Sequence, residues 1–294
     1  MFVNCFDQIG LMNNENSGLF DGKPVHNYAN TLILDLFGLD YIHPSRGIEK
    51  EGILILGLWM QIYHHLYEAV AVCRGGGIYY HEIENEVDKA AALWIGRLQI
   101  FGDNTRGTML YNLVERVAVA FNQDDGEAKA NTKFISIMRE MRENRDDCWP
   151  SKLEDNKGYH NLYKLVNDAV GIMYIPLIQN LIHYIATDAN SKLIELYLIP
   201  LLPQIRSCNP DYFDFLFTRI GQLSSGNYPI TEMVDIIDHL QSMYSCFGVT
   251  CKDIGYHSTG IGCDDEVAEP NIPLAGYMPE NNMQNVSKLN PFDL

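Results

Sequence analysis

The residues best suited to chemistry are polar groups on helix faces that are otherwise apolar. In the segment WMQIYHHLYEA, Gln61, His65 and Glu68 are spaced i, i+4 and i+7, so they share one face of a helix. Asp88 opens the apolar stretch AAALWIG, and Glu115 lies inside another apolar helical pattern. Charged groups in such places lie at a surface edge, pair with each other or hold a metal.

The second half of the chain carries a similar set. Gln179 and His183 repeat the Gln-x3-His spacing, and Glu195 lies within KLIELYLIP. Carboxylate and imidazole donors without thiolate suit a hard or borderline ion such as ferric iron, manganese or zinc, and the 17 tyrosines leave phenolate ligation open. Each residue also has a structural interpretation as a paired or satisfied core group. The predicted metal ligands are His65, Glu68, Asp88, Glu115, His183 and Glu195.

Other chemistries lack their motifs in this sequence. We find no phosphate-binding GxxxxGK[ST], no GxSxG nucleophile motif and no HExxH zinc motif. A ferritin-like di-iron bundle needs Glu-x-x-His on two helices, and the chain has only the reversed order, as from His65 to Glu68. A metal-dependent oxidase is therefore disfavoured, and we expect a protein that is not an enzyme.

Charge and hydropathy restrict the partners. The chain has 21 Lys and Arg against 38 Asp and Glu, a formal charge of −17, which disfavours nucleic acid and makes cations the plausible charged partners. The longest apolar runs, 53–60 and 169–178, are too short to cross a bilayer, so no transmembrane segment is predicted. The N-terminus has no signal-peptide pattern, which fits an intracellular protein or a mature secreted form.

Hydrophobic periodicity predicts an all-α fold of about eight helices. The helical domain is expected at 49–251, after an irregular N-terminal arm at 1–48 and before an extended tail at 252–294. No run of alternating strand pattern lies between turn signals. The helices are predicted near 49–73, 82–99, 107–121, 128–144, 159–186, 190–206, 210–223 and 231–246.

The helices divide into two similar groups of four. WMQIYHHLYEA aligns with LIQNLIHYIAT, and two further helix pairs match in the same order, which predicts an internal duplication. Two such halves would pack as one bundle about a pseudo-two-fold axis, bringing His65 toward His183 and Asp88 toward Glu195. The metal is therefore predicted between the halves. The two copies are predicted at 49–147 and 159–248.

Cysteine usage favours some disulfides. None of the seven cysteines forms a C-x2-C pair, so a zinc ribbon or thioredoxin-like motif is disfavoured. Cys208, Cys246 and Cys251 cluster near predicted helix ends, which favours disulfides over free thiols without deciding the pairing.

Several motifs point to one family. The stretch from Asp88 to Asn122 holds Trp-Ile-Gly and Leu-Tyr-x-Leu-x-Glu-Arg, the second half holds IPLIQNLIHYIA, and YSCFGVTCKDIG follows at 244–255. Over about 80–255 the chain resembles the algal iron-assimilation proteins, which are secreted by green algae and induced by low iron or high CO2. It departs from them at His183, where the family tends to arginine, and in its RGGG turn and tail.

This resemblance implies a secreted or periplasmic protein at the cell surface that assists iron uptake and delivers iron to a cell-surface transporter. It also implies disulfides among Cys208, Cys246 and Cys251, but it gives no ligand list. The favoured function is thus non-catalytic binding of ferric or ferrous iron. The alternative is a helical scaffold or interaction protein whose buried polar groups are structural.

Overall fold

The computed structural model describes residues 19–20, 23–24, 48–74, 80–148, 157–187, 191–224 and 234–260. Two short antiparallel strands, β1 (Leu19–Phe20) and β2 (Lys23–Pro24), precede the helices. The α-helices are α1 (Ile48–Gly52), α2 (Met60–Arg74), α3 (Tyr80–Ile95), α4 (Leu110–Ala120), α5 (Lys129–Glu143), α6 (Lys157–Ala186), α7 (Ser191–Leu198), α8 (Leu202–Cys208), α9 (Pro210–Ser224), α10 (Val234–Ser242) and α11 (Cys251–Ile254). Short 3-10 turns lie at Arg145–Cys148, Ile199–Leu201 and Tyr244–Phe247.

The all-α prediction is confirmed. Each of the eight predicted helices is found within a few residues of its expected bounds, because long amphipathic patterns specify helices well. The sixth is divided by the 3-10 turn Ile199–Leu201, since Pro200 and Pro203 cannot donate main-chain hydrogen bonds there. The predicted duplication and the domain limits stay predictions.

A π-helical segment, Ile53–Trp59, connects α1 to α2 without a break in the helix. Its main-chain hydrogen bonds join residues five apart in the sequence, instead of four apart as in an α-helix. This geometry is rare and is frequently found at functional sites. The segment buries Leu54, Ile55, Leu56 and Trp59, and the Trp59 indole donates to the carbonyl of Met173 in α6 at 3.0 Å.

The long helix α6 is the centre of the packing. It contacts α2, α4, α5 and α7, and its apolar side chains are almost all buried in one continuous core. Residues Gly158–Ala186 are long and apolar enough to cross a membrane by length and composition, but 83% of the most apolar window is buried inside the protein. Burial against neighbouring helices accounts for this apolar character.

Two disulfides fasten helix ends among the described residues. Cys73 at the end of α2 is bonded to Cys148 in the turn after α5, with Cα atoms 5.1 Å apart. Cys208 at the end of α8 is bonded to Cys246 in the turn after α10, with Cα atoms 6.2 Å apart. The prediction of disulfides is confirmed, including the involvement of Cys208 and Cys246.

The residues that follow Cys251 pack against the helices as far as Gly260. Ile254 and His257 are buried, the Gln179 amide donates to the carbonyl of Ile254 at 2.7 Å, and the N–H of Ser258 donates to the carbonyl of Ala120 at 2.9 Å. The first part of the predicted tail is thus ordered against α4 and α6. The remainder of that tail, and most of the predicted N-terminal arm, lie outside the described residues.

Asp253 has a depressed pKa and ties α11 to α5. Its carboxylate completes a capping box with Thr250 and accepts from Lys133 at 2.5 Å. Burial alone would raise the pKa of Asp253, but the hydrogen bonds from Lys133 and Thr250 outweigh it and hold that pKa below its usual value. The stabilisation is therefore present above about pH 4 and is lost as pH falls through the lower, folded-state pKa.

We expect Asp253→Asn to lower the free energy of unfolding by about 1 kcal/mol at pH 6, because the cap and the ion pair are both weakened. Urea unfolding of the wild type and the variant should show this gap narrowing as pH falls from about 4 toward about 2. A gap that stays constant over this range would show that the carboxylate charge contributes nothing.

Candidate metal centre

The first predicted ligand, His65, is held by its neighbours on α2 and α3. Its Nδ1 lies 2.5 Å from Glu86 Oε2, and its Nε2 lies 3.1 Å from the side-chain nitrogen of Gln61. Because an amide nitrogen can only donate, Nε2 accepts and Nδ1–H donates to the carboxylate. Both ring nitrogens are thus engaged, while Glu68, one turn on, is exposed.

Asp88 lies on the exposed side of α3, 3.7 Å from a guanidinium nitrogen of Arg142 on α5. The side chain of Asp88 is 51% exposed. Such an ion pair in water contributes little to stability.

Glu115 is buried and accepts hydrogen bonds at the start of α5. The N–H of Ala128 donates to its two oxygens at 3.1 and 3.2 Å, and the Asn131 amide donates at 2.7 Å. Asn131 in turn accepts from the indole of Trp94 and donates to the carbonyl of Tyr111. Burial raises the pKa of Glu115 despite these hydrogen bonds. The carboxylate sits where a helix N-terminus favours negative charge.

His183 and Glu195 have partners of their own in the second half. His183 Nδ1 lies 3.0 Å from Nε2 of His257. Glu195 is buried, and its Oε2 accepts from Lys192 at 2.7 Å. Its other oxygen has no hydrogen-bond partner within the part of the chain that the structure describes.

The structure therefore distributes the six predicted ligands over several polar contacts. No hydrogen bond or ion pair between described residues joins any two of them. The same described ranges contain no group of three or more His, Cys, Asp and Glu side chains placed to hold a metal. The predicted ligand set stays a prediction, and tyrosine oxygens must be considered beside it.

A second cluster centres on Glu51, which is buried at the end of α1. Its Oε2 accepts from the Tyr197 hydroxyl at 2.7 Å, and its two oxygens accept from the Tyr184 hydroxyl at 3.0 and 3.1 Å. Arg116 on α4 places a guanidinium nitrogen 3.9 Å from Oε1. One carboxylate, two phenols and one guanidinium thus converge from four helices. We call Glu51, Tyr184 and Tyr197 the carboxylate–tyrosine cluster.

Helix geometry explains why these side chains meet. Tyr184 lies near the end of α6 and Tyr197 near the end of α7, and the two aromatic rings pack with their centroids 5.4 Å apart. Helix α1 packs on α7, so Glu51 faces both hydroxyls. A buried carboxylate needs such donors, because leaving it unpaired would cost several kcal/mol.

Burial is the main influence on the phenols. Desolvation raises the pKa of Tyr184 and of Tyr197 well above the usual value, and the nearby Glu51 charge raises both further. Both side chains are therefore neutral hydroxyls at pH 7 and act as donors to Glu51. A strongly charged cation would have to displace these protons, as metals do with protonated ligands.

A histidine pair adjoins the carboxylate–tyrosine cluster. The N–H of Thr259 donates to His257 Nδ1 at 3.3 Å, so the proton of a neutral His257 is on Nε2, which donates to His183. Burial lowers the pKa of His183, although the charge of Glu51 opposes this, and burial and His183 lower the pKa of His257. Both imidazoles are therefore neutral at pH 7, the form that can bind a metal.

Sequence reasoning missed Glu51, because it lies in the segment IEKEG beside three other charged or flexible residues and has no apolar stripe around it. The sequence signal that could have identified Glu51 is its position two residues before the long apolar run ILILGLWM. A carboxylate so close to a buried segment is expected to be partly buried too. His183 is the one predicted ligand that the structure places next to this cluster.

Comparison with known proteins adds no family. No protein-family model matches the chain, and neither curated proteins nor solved structures show a significant match. Iron binding is therefore proposed from the residues and their geometry alone.

Proposed function

We propose that this protein binds ferric iron at the carboxylate–tyrosine cluster and assists iron uptake without catalysing a reaction. The observation that carries the proposal is the spacing of its oxygens. The Glu51 carboxylate lies 2.7 Å from the Tyr197 hydroxyl and 3.0 Å from the Tyr184 hydroxyl. Neighbouring oxygens around one octahedral ion are roughly 3 Å apart when metal–oxygen distances are near 2 Å.

The donor types favour ferric iron over softer ions. Carboxylate and phenolate oxygens are hard donors, and His183 close by would supply a borderline nitrogen if its Nδ1 exchanged the hydrogen bond from His257 for the metal. One carboxylate and two phenolates would balance the three positive charges of ferric iron in a buried place where net charge is costly. The remaining charge, on Arg116, belongs to a side chain that is 45% exposed to solvent. Binding would release the two phenol protons, so we expect uptake to weaken as the solution becomes more acidic.

The cellular setting is proposed from the disulfides and the resemblance. Disulfides persist in oxidising compartments such as the periplasm and the cell exterior. Cys73–Cys148 and Cys208–Cys246 therefore support a secreted or periplasmic protein. Resemblance to the algal iron-assimilation proteins supports delivery of the metal to a cell-surface iron transporter.

Iron titration of phenylalanine variants tests the site. Tyr184→Phe and Tyr197→Phe each remove one oxygen and keep the ring, so we expect the iron dissociation constant to rise about a hundredfold or more. Ferric phenolate coordination should also give the wild type a visible charge-transfer band that the double variant lacks. The matched control is Tyr212→Phe, which removes a buried hydroxyl that donates to the carbonyl of Ile236 at 3.1 Å.

One double variant separates the predicted ligand set from the carboxylate–tyrosine cluster. Asp88→Ala with Glu195→Ala tests the site predicted from the duplication, and should leave iron binding intact if the cluster is the site. Loss of iron in that variant, with the tyrosine variants unaffected, would place the metal with the predicted set and refute this proposal. Circular dichroism of all variants serves as the control, and we expect their helical content to match that of the wild type.

The alternative function is a helical scaffold, and one observation favours it. The Glu51 carboxylate already has two hydroxyl donors and Arg116, so a metal is not needed to satisfy it. In that case protein purified without a tag and incubated with iron would retain no stoichiometric metal. Tyr197→Phe would then lower stability by about 1 kcal/mol and change nothing else.

A further inference from the structure

An exposed apolar patch lies on the loop between α3 and α4. Leu98 is 76% exposed, Phe101 is 62% exposed and Ile100 is 46% exposed. Three large apolar side chains within four positions form a patch on the order of 300 Å², a size that marks interaction sites on monomer surfaces. We call Leu98, Ile100 and Phe101 the apolar loop patch.

The loop that carries this patch is firmly built. The Gln99 side-chain amide donates to the carbonyls of Ile100 and Asp103 at 2.8 and 2.9 Å, which closes the turn from inside. The N–H of Gly102 donates to the Tyr111 hydroxyl at 3.2 Å, and the Phe101 ring packs edge-on against the Tyr111 ring. The apolar side chains are thus displayed on an ordered turn.

The backbone of Leu98 is strained, in addition to the exposure of its apolar side chain to solvent. Its φ of +68° lies in the left-handed region, which side chains other than those of Gly, Asn and Asp rarely adopt. Strain at a residue that is also apolar and exposed means that two unfavourable features coincide. Such features persist where they serve a function.

The charges beside the patch are of both signs and lie on two neighbouring segments. Arg97 and Arg106 are exposed on the same loop as the patch. The exposed residues Asp124 and Asp125 lie on the neighbouring turn, whose Gly126 carbonyl is so close to Gly102 that a Cβ there would collide with it. Arg106 lies 3.5 Å from Asp103 on the loop itself, and Lys129 lies 3.6 Å from Asp125. Charges of both signs are therefore present at the edge of the patch.

We propose that the apolar loop patch is a dimer interface that binds the same patch on a second copy of this chain. A two-fold interface must be complementary to itself, so a surface with an apolar centre and both charges at its edge is suited to it. The arginines of each copy would face the aspartates of the other. This arrangement does not depend on the proposed iron site.

The acidity of the chain argues for this occupant over a lipid surface. With a formal charge of −17 and two aspartates next to the patch, an anionic membrane would be repelled. A second copy has the same excess acid, but the exposed Arg97 and Arg106 lie on the loop where the two copies would meet. Because the patch is small, we expect a weak dimer, with a dissociation constant of micromolar order.

Sedimentation equilibrium of the full chain from about 1 to 300 µM tests the proposal. We expect the wild type to pass from monomer to dimer, and Phe101→Asp to raise the dissociation constant at least about tenfold. The control is Ile53→Asp, which alters an apolar side chain that is 42% exposed elsewhere in the protein. It should dimerise as the wild type does.

A charge exchange tests the geometry independently of the apolar contacts. Arg106→Glu and Asp125→Arg should each weaken self-association, because like charges then face each other across the axis. An equimolar mixture of the two variants should dimerise again, since every pair in the mixed dimer has opposite charges. Homodimers of the double variant should recover in the same way.

Three results would overturn the proposal: a wild type that stays monomeric throughout, dimers that survive Phe101→Asp, or a mixture that fails to recover. Flotation with phosphatidylcholine vesicles covers the lipid alternative. A monomeric wild type that floats with the vesicles, when Phe101→Asp does not, would assign the patch to a membrane surface.

Discussion

Glu115→Ala is expected to lower the free energy of unfolding by about 3 kcal/mol. The substitution leaves the N–H of Ala128 and one of the two amide protons of Asn131 without an acceptor, and both groups are buried. Each unsatisfied donor costs about 1 to 3 kcal/mol, and the vacated carboxylate volume adds a cavity. Removing a charge whose pKa is raised by burial offsets part of this loss.

Urea unfolding at pH 7 measures the effect, with two comparison variants. Glu115→Gln keeps one oxygen to accept both donors and should cost about 1 kcal/mol. Glu68→Ala changes an exposed carboxylate and should stay within about 0.5 kcal/mol of the wild type. If Glu115→Ala were as stable as Glu68→Ala, the carboxylate would not be holding the start of α5. Iron binding lost in Glu115→Gln would instead identify Glu115 as a ligand.

Loss of the Cys73–Cys148 disulfide should cost about 4 kcal/mol. The bond closes a loop with a sequence separation of 75 residues and so removes many conformations from the unfolded chain. The double variant Cys73→Ala with Cys148→Ala keeps a small apolar side chain at both buried positions. Thermal unfolding of this variant should therefore begin at a much lower temperature than that of the wild type.

The Cys208–Cys246 pair is the matched comparison. Its separation is 38 residues, so the loop-entropy argument gives a loss smaller by about 0.6 kcal/mol when both cysteines are replaced by alanine. Equal or reversed costs would show that local packing, and not the unfolded chain, determines what each bond contributes.

Most of the helical architecture could be predicted from the sequence. The eight predicted segments coincide with the described helices because each has an apolar face at helical spacing and a turn signal at its end. The glycines after Cys73 and the prolines near Pro200 correctly indicated where helices end. Disulfide formation could be anticipated from cysteines near helix ends, but Cys73 and Cys148 could not be paired, since their proximity depends on how α2 and α5 pack.

The candidate site was harder to predict, for a physical reason. A helical pattern reveals which polar residues share a face, but not which groups on other helices they meet. His65 and Glu115 lie on the apolar faces that the pattern indicated, yet they bind Glu86 and Asn131, which sequence spacing does not connect to them. Glu51 could not be identified at all from a helical pattern, because its buried position follows from the packing of α1 on α7.

The π-helical segment Ile53–Trp59 determines the direction in which Glu51 points from the helix axis. An α-helix turns by about 100° per residue, and a π turn accommodates one additional residue in the helix, so everything before Ile53 is rotated by about that angle relative to α2. In an unbroken α-helix Ile53 would share a face with the buried residues Leu56 and Met60, yet Ile53 is 42% exposed. Removing one residue from this segment would turn Glu51 away from Tyr184 and Tyr197 while leaving α2 in place. A single extra residue in the helix thus keeps the Glu51 carboxylate facing the hydroxyls of the two tyrosines.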